Sequence, residues 1–394
     1  MAKWPIVRFE ELAADEKSSF SKPYGSAYTK DDYVSDGVPL VRGVNLGNGI
    51  YHDDDYVFIT EEKADKLPGA NLAPGDLVIT HRGTIGQASM IPRSPRYPRY
   101  VLSTSQVKAR LDSSRAVPEF YCYWLLSPAG QHEILSHVST VGVPGLVQPV
   151  ASVKGFKVPH PSLREQKAIA EVLGALDDKI AVNKSIATTA QRLMQARYMR
   201  AIDEVSTPKP LGGMVDFHNR KRVPLSSRQR AEIPGPYPYY GAAGVVGYVR
   251  DFIFSGSHLL VGEDGSVITD ERKPVTQYVW GDFWVNNHAH VLTGKGISTE
   301  LLAVALQFTD VAALVTGAVQ PKLNMRNLMR LEVPVPAGEQ IAALDGEISE
   351  VTALVRRRSD ESRTLAALRD TLLPQLMSGK LRVRDAEKIV EDAV

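Results

Sequence analysis

The chain reads Val158-Pro159-His160-Pro161-Ser162-Leu163-Arg164-Glu165-Gln166 near its middle and Val333-Pro334-Val335-Pro336-Ala337-Gly338-Glu339-Gln340 near its end. Each copy is a short apolar strand, a Pro-x-Pro stop, and then Glu-Gln opening a long stretch of helical period. Each also follows a Gln-Pro pair, Gln148-Pro149 and Gln320-Pro321. A period of about 175 residues is too long for a solenoid repeat, so the duplication is of whole modules, each a globular block followed by a helix. Two similar surfaces carried at a fixed distance suit a target that is itself bipartite.

Working outward, Ser162-Leu163-Arg164-Glu165 is a capping-box sequence, in which the serine oxygen accepts from the Glu165 amide and the glutamate reaches back. Ile169, Leu173, Leu176, Ile180, Asn183, Ala187, Ala190 and Met194 then follow in steps of four and three, a narrow coiled-coil seam with one polar position, Asn183, placed to fix register. This predicts a helix from Ser162 to about Val205 with Pro208 marking the exit. Its roughly 44 residues would span about 65 Å. The second copy runs through Ile341, Leu344, Ile348, Val351 and Val355, then Leu365, Leu368 and Leu372, until Pro374 ends or kinks it. Ala337-Gly338-Glu339-Gln340 lacks a polar cap, so this second helix starts more weakly. Two such helices in one chain pack most simply as an antiparallel pair, with the globular blocks at opposite ends.

The blocks between them read as short strands and turns. Val38–Val44 is strand-like, Pro74-Gly75-Asp76 turns into the strand Leu77–Thr80, and His81-Arg82-Gly83-Thr84-Ile85-Gly86 is a polar loop with two glycines. Leu259–Val267 falls where Leu77–Ile85 stood, and Thr299–Phe308 where Pro118–Ser127 stood, so the scaffold repeats while the loop changes from His-Arg to Glu-Asp. The expected fold class is α+β: two similar domains of short strands and helices separated by two long helices in an antiparallel coiled coil. The expected boundaries are 1–160 and 209–335 for the domains, 161–208 and 336–385 for the helices, and 386–394 for a tail.

With 394 residues, 43% hydrophobic and 23% charged, the chain has room for two or three domains with cores of their own. Its net charge of +1 creates no global attraction for a polyanion, but the charge is unevenly spread. From Asn71 to Arg110, Arg82, Arg93, Arg96, Arg99, Lys108 and Arg110 face Asp76 alone. From Lys209 to Arg230, Lys209, Arg220, Lys221, Arg222, Arg228 and Arg230 face Asp216 alone. Clustered basic charge, once in each repeat, is the footprint of phosphate contact. The single Cys122 lies in an apolar run, can form no intramolecular disulfide and reads as a buried small hydrophobe. Met1–Pro5 holds no apolar signal core and no stretch reaches membrane-spanning length without charge, which predicts a cytoplasmic protein with no membrane association.

Catalytic constellations are scarce. There is no Walker-type phosphate loop, no dinucleotide fingerprint after a clear strand, and no Asn-Pro anywhere for an amino-methyltransferase tetrapeptide. Asp264 with Glu271-Arg272-Lys273 resembles a nuclease pattern at too short a gap, and His288 with His290 lacks companion zinc ligands. What remains is recognition chemistry. Asn pairs with adenine and Arg or Lys with guanine, and Asn286-Asn287 and Lys322, Asn324 and Arg326 are dense in such side chains. The candidate DNA-contacting residues are therefore His81, Arg82, Thr84, Arg93, Arg96 and Arg99 in the first block. In the second they are Lys221, Arg222, Arg228, Glu263, Asp264, Asn286, Asn287, Lys322, Asn324 and Arg326.

These features together resemble the specificity (S) subunit of type I restriction-modification systems. The resemblance covers the whole length and is carried by Pro161–Gln166 and Pro336–Gln340, by Gly75-Asp76-Leu77 with Gly83-Thr84-Ile85-Gly86, by the Gln-Pro pairs, and by Leu372–Val383. It implies that the blocks are target recognition domains reading double-stranded DNA as two short half-sites across an unread spacer. It implies that the helices dock two modification (methyltransferase) subunits, with restriction (translocase-nuclease) subunits joining them. No cofactor is expected in this chain; S-adenosylmethionine, ATP and Mg are expected on partner subunits, and no metal or catalytic residue here. The competing readings are a single-chain enzyme that modifies or cleaves DNA, and a two-domain protein-interaction scaffold without nucleic acid.

Overall fold

The strand that opens each block pairs with the strand that closes it. In the computed structural model, which describes residues 4–392 except 48, 50, 140–143, 205, 318 and 337–339, Ile6–Arg8 runs antiparallel to Lys157–Pro159, and Ser206–Pro210 antiparallel to Glu332–Pro336. Ser206–Pro210 thus belongs to the second block rather than to a helix reaching residue 208. A two-stranded pair tolerates Pro208 and Pro210 because half of its amides face away from the partner. Of the second helix start, Ala337, Gly338 and Glu339 lie outside the described residues, as does Val205 at the end of the first helix.

Each block then builds two four-stranded sheets of matching order. In the first, the strands run in the order Phe20–Ser21, Gln106–Ala109, Leu77–Thr80, Ala88–Met90 in one sheet. The other is ordered Val57–Ile59, Val38–Val41, Tyr100–Leu102, Asn71–Leu72. In the second, Val215–Phe217, Ala289–Gly294, His258–Gly262 and Thr276–Val279 form one sheet, and Val245–Val249, Tyr237–Tyr240, Asp282–Val285 and Phe254–Ser255 the other. In both blocks one central pair is parallel, Val38–Val41 with Tyr100–Leu102 and Tyr237–Tyr240 with Asp282–Val285. The apolar runs face inward because both surfaces of these sheets are covered: Leu77, Val78 and Ile79 are fully buried, as are Leu259, Leu260 and Val261. The repeat seen in the sequence is therefore a repeat of topology.

Two compact units result, one of residues 1–182 with 361–394 and one of residues 183–360. Each contains a stretch of both long helices, Leu163–Glu204 and Gln340–Met377. In the first unit Ile169, Leu173 and Leu176 share a core with Leu365, Leu372 and Leu376, with Ile180 and Leu368 at its margin. Lys179 faces Glu361 while Asp177 faces Arg369, so the helices run antiparallel there. In the second unit Ala190 and Met194 pack with Leu344, Ile348 and Val355, flanked by Ala187, Ile341 and Val351, and Arg197 faces Glu347. Asn183 is buried with neither its side-chain oxygen nor its nitrogen hydrogen-bonded.

The first helix begins as the capping box requires: the Glu165 amide donates to Ser162 Oγ at 3.3 Å and the Ser162 amide to Glu165 Oε2 at 3.1 Å. Gln166, fully buried, accepts from the Val117 amide at 2.8 Å and donates to the Pro161 carbonyl at 2.9 Å and the Arg115 carbonyl at 3.3 Å, tying the helix to the block it follows. Gln340 is exposed instead. The second helix does not stop at Pro374 but continues to Met377, held by buried Leu372, Leu373, Leu376 and Met377. Gly379, at φ +66°, then turns the chain, with the Lys380 amide donating to the Gln375 carbonyl at 3.0 Å. A further helix, Val383–Glu391, follows and buries Ala386. Residues 378–382 therefore break the helix expected through 385, and most of the expected tail is helical.

Candidate nucleic-acid interface

The loop after the central strand of each block is held by the same backbone frame. In the first block the His81 amide donates to the Ser105 carbonyl at 2.9 Å, and the Leu146 amide to the His81 carbonyl at 3.0 Å. Arg82 bridges to Gly145, and Gly83 takes φ +87°. In the second block the Glu263 amide donates to the His288 carbonyl at 2.8 Å, and the Leu323 amide to the Glu263 carbonyl at 2.9 Å. Asp264 bridges to Lys322, and Gly265 takes φ +77°. His81 thus corresponds to Glu263 and Arg82 to Asp264. The left-handed glycine after them keeps the turn tight in both copies. One scaffold presents opposite charges at equivalent positions.

Within the first block the roles divide. His81 is buried, its Nε2 lies 3.0 Å from the Thr104 carbonyl, and burial holds its pKa below the ordinary imidazole value, so it serves the frame. Arg82 and Thr84 are exposed at the tip. The three arginines expected as one cluster are committed to separate places. Arg93 forms a two-bond pair with Glu119 at 2.8 and 3.1 Å, which raises its pKa. Arg99 meets Glu61 and Asp65, each at 2.8 Å, and donates to Asn71 at 2.6 Å. Arg96 alone keeps an exposed guanidinium with no carboxylate among the described residues, lying 5.4 Å over the Tyr97 ring. The acids that pair with Arg93 and Arg99 lie 26 to 38 residues away in sequence, where charge counting along the chain does not see them.

In the second block the structure gathers several candidates around one turn. Arg222 Nη1 reaches Glu263 at 2.6 Å and the Ala289 carbonyl at 2.7 Å, and its side chain is only 13% exposed, so it anchors the loop. Asp264 pairs with His288. Asn286 Oδ1 accepts from the His288 amide at 2.8 Å, leaving Asn287 exposed beside it. Lys322 is exposed next to Asp264. Asn324 caps the short helix Met325–Met329, accepting from the Asn327 amide at 2.9 Å, and Arg326 is exposed on that helix. Lys221 is exposed beside Arg222, whereas Arg228 sits on a separate helix, Ser227–Glu232, paired with Glu232 at 3.2 Å.

For His288 and His290 a core or surface place is the expectation ahead of zinc ligation, and the structure puts His290 in the core. Its side chain is fully buried; Nε2 donates to the Leu323 carbonyl at 2.7 Å and Nδ1 accepts from Asn219 at 2.8 Å, and burial keeps its pKa low. Sequence reasoning missed Asp53, which accepts from Tyr56 at 2.8 Å, Tyr100 at 2.7 Å and the Arg96 amide at 2.8 Å, organising a cluster of tyrosines under the Arg96 segment. The interleaving of tyrosine with arginine at 96–100 was its only sequence signal. Cys122 is buried and its thiol pushed up to about 12, so it is unreactive. Among the described residues no group of three or more His, Cys, Asp or Glu could hold a metal ion, and no helix is long and apolar enough to cross a membrane.

Comparison with known proteins is consistent along the chain. The pattern of the type I restriction modification DNA specificity domain matches twice, at residues 3–192 and 204–351. The type I restriction enzyme MjaIX specificity subunit of Methanocaldococcus jannaschii is 20% identical, with 97% of this chain and 94% of that one covered. The EcoprrI specificity subunit of Escherichia coli is 24% identical over 262 residues, 62% of each chain. A Haemophilus influenzae relative assigned as a specificity subunit is 32% identical over 129 residues, so this chain spans about a third (32%) of its length. Among solved structures, the S subunit of a type I restriction-modification system from M. genitalium has the same fold, with a TM-score of 0.62 at 16% identity over 95% of this chain and 96% of that one. The doubled topology, the doubled loop frame and the doubled family match agree, and the chain belongs to the type I restriction-modification DNA specificity family.

Proposed function

We propose that this chain is the DNA-reading subunit of a type I restriction-modification complex and is itself non-catalytic. Each block reads one short half-site, the two half-sites are unlike, and an unread spacer separates them. The carrying observation is the loop frame common to both blocks, with Arg82 and Thr84 presented in one, and Asp264, Asn287 and Lys322 in the other. A shared scaffold with different side chains is what two readers of two different sequences need. Basic residues at the rim supply contact with phosphate and little discrimination. The long helices dock two modification subunits, and restriction subunits join that assembly. S-adenosylmethionine, ATP and Mg serve those partners, where the target base is flipped and methylated.

The test is to express the chain with its modification subunits in a host lacking them and to map methylated bases across the genome. A split motif that appears with this chain and vanishes without it supports the reading. Methylation or cleavage by the purified chain alone would establish the single-chain enzyme instead. Absence of DNA retention by the assembled complex at low salt would favour the protein scaffold.

A further inference from the structure

Each unit contains a Tyr–carboxylate–Arg bridge between its globular block and its stretch of the long helices. In the first, Tyr123, on the helix Pro118–Leu126, donates to Asp177 Oδ2 at 2.7 Å. Asp177 lies on the first long helix, and Arg369 on the second reaches Asp177 Oδ1 at 2.6 Å, both side chains 17% exposed. In the second, Tyr278, on the strand Thr276–Val279, donates to Glu300 Oε1 at 2.6 Å. Glu300 belongs to the helix Thr299–Leu306, and Arg356 on the second long helix donates to the Tyr278 hydroxyl at 3.1 Å and lies 3.7 Å from Glu300. The two bridges are not copies. Val304 stands in the repeat where Tyr123 does, and Glu119, the counterpart of Glu300, is engaged by Arg93. The same chemistry has been assembled twice from different elements.

Packing around each bridge is incomplete. A cavity of about 370 Å³ lies beside the first, lined by Thr84, Gln87, Tyr123, Asp177, Arg369 and others, and one of about 340 Å³ beside the second. Apolar burial is non-directional, and where packing leaves a cavity it constrains the angle of a block on its helices less tightly. A charge-assisted bond to a carboxylate is directional, and a buried ion pair adds little stability over an apolar pair of similar volume while restricting geometry. In the first unit Thr84 and the residues just after it also line the cavity, so the bridge and the tip of the candidate loop border the same space.

We infer that Tyr123–Asp177–Arg369 and Tyr278–Glu300–Arg356 are positioning residues that fix the angle of each reader on its helices and thereby enforce the spacer length of the target. This rests on the reading of the chain as a two-part DNA reader. One added base pair moves a half-site by about 3.4 Å and turns it by roughly 35°. A reader held at a fixed angle rejects such a site, and one free to swivel accepts it.

The experiment uses the complete complex with its modification subunits. DNA carrying both half-sites at the natural spacing, and at one base pair more or less, is methylated by the wild type, by Tyr123→Phe, by Tyr278→Phe, and by the double variant Asp177→Leu/Arg369→Met. The variants are expected to keep both half-site sequences and their thermal midpoint within a few degrees. Their preference for the natural spacing over its neighbours should fall by about tenfold or more. Spacing discrimination equal to wild type in the folded variants overturns the inference. The single hydroxyl deletions carry the test if the double variant fails to fold. A wild-type complex without any split motif would instead refute the underlying DNA-reading function, a separate outcome visible before any variant is made.

Discussion

At the scale of single residues, the two glutamines of the repeated Glu-Gln pair have opposite environments. Gln166 is buried and satisfies one amide and two carbonyls. Gln166→Ala should therefore cost about 1–3 kcal/mol, because it leaves buried partners unpaired. Gln340→Ala, at an exposed side chain, should stay within about 0.5 kcal/mol of wild type. Urea unfolding of both variants measures the contrast, and equal effects would show that the buried bonds contribute nothing. His290 gives a pH dependence. Its Nδ1 accepts from Asn219, whose own oxygen accepts from the Val291 amide at 2.9 Å, so the amide cannot turn over to greet a second proton. With the folded pKa depressed by burial, the unfolded chain binds more protons just below the ordinary value of about 6.5. Stability is thus full above that pH and falls as the pH drops towards the lowered value, with His81, His160, His218 and His258 shifted the same way by burial. Val107 occupies the equivalent strand position in the first block, opposite Ile79 as His290 is opposite Val261. His290→Val should cost about 1–3 kcal/mol at pH 7.5, because the Leu323 carbonyl and the Asn219 amide lose their partner. It should lose less stability than wild type between pH 7.5 and 5.5, and an equal loss would exclude His290 as a contributor.

At the scale of elements, the seam was legible because a period of 3.5 residues leaves its mark directly on the sequence. The capping box at Ser162 was legible for the same reason, being local. The fate of the arginines was not. Arg93, Arg99 and Arg222 are neutralised by acids brought near only by the fold, and a count of charge along the chain assigns them to DNA by default. Of the two outcomes open at Pro374, an end is excluded: the helix continues to Met377 because four buried side chains around the proline outweigh one missing hydrogen bond. The helices themselves make the third prediction. Four residues inserted between Thr188 and Gln191 add about 6 Å and turn the seam only about 40° beyond a full turn, whereas two residues turn it by about 200°. The first variant should give an active complex methylating a motif with nearly two more unread base pairs at about 3.4 Å each, and the second should fail to assemble. Methylated-site mapping decides it; an unchanged spacer at full activity would show that the helix is not the ruler.

At the scale of the whole molecule, the duplication predicts independence. Because Ser206–Pro210 and Glu332–Pro336 close the second block upon itself, exchanging residues 206–336 for the equivalent block of a relative should alter one half of the methylated motif and leave the other intact. A folded exchange that changed both halves would refute separate reading. The repeat was visible in the sequence where the framework is constrained, at the Pro-x-Pro strands and the loop glycines. It was invisible between the first strands of the parallel-containing sheets. There Arg42–Tyr56 in one block answers to Gly241–Gly244 in the other, and no alignment survives such a difference in length. The tips at 82–84 and 286–288 differ in side chain on the same frame.

The division of the chain also sets an order of synthesis. The unit of residues 183–360 is continuous, whereas the unit of residues 1–182 is completed by residues 361–394. On a ribosome the unit of residues 183–360 is whole before the other. Until Leu365, Leu372 and Leu376 emerge, the stripe of Ile169, Leu173 and Leu176 lacks part of its cover. A nascent chain arrested at Asp360 would therefore carry one finished domain and one sticky helix, a natural substrate for chaperones. Emergence of residues 361–394 is the event that lets the first unit close its core.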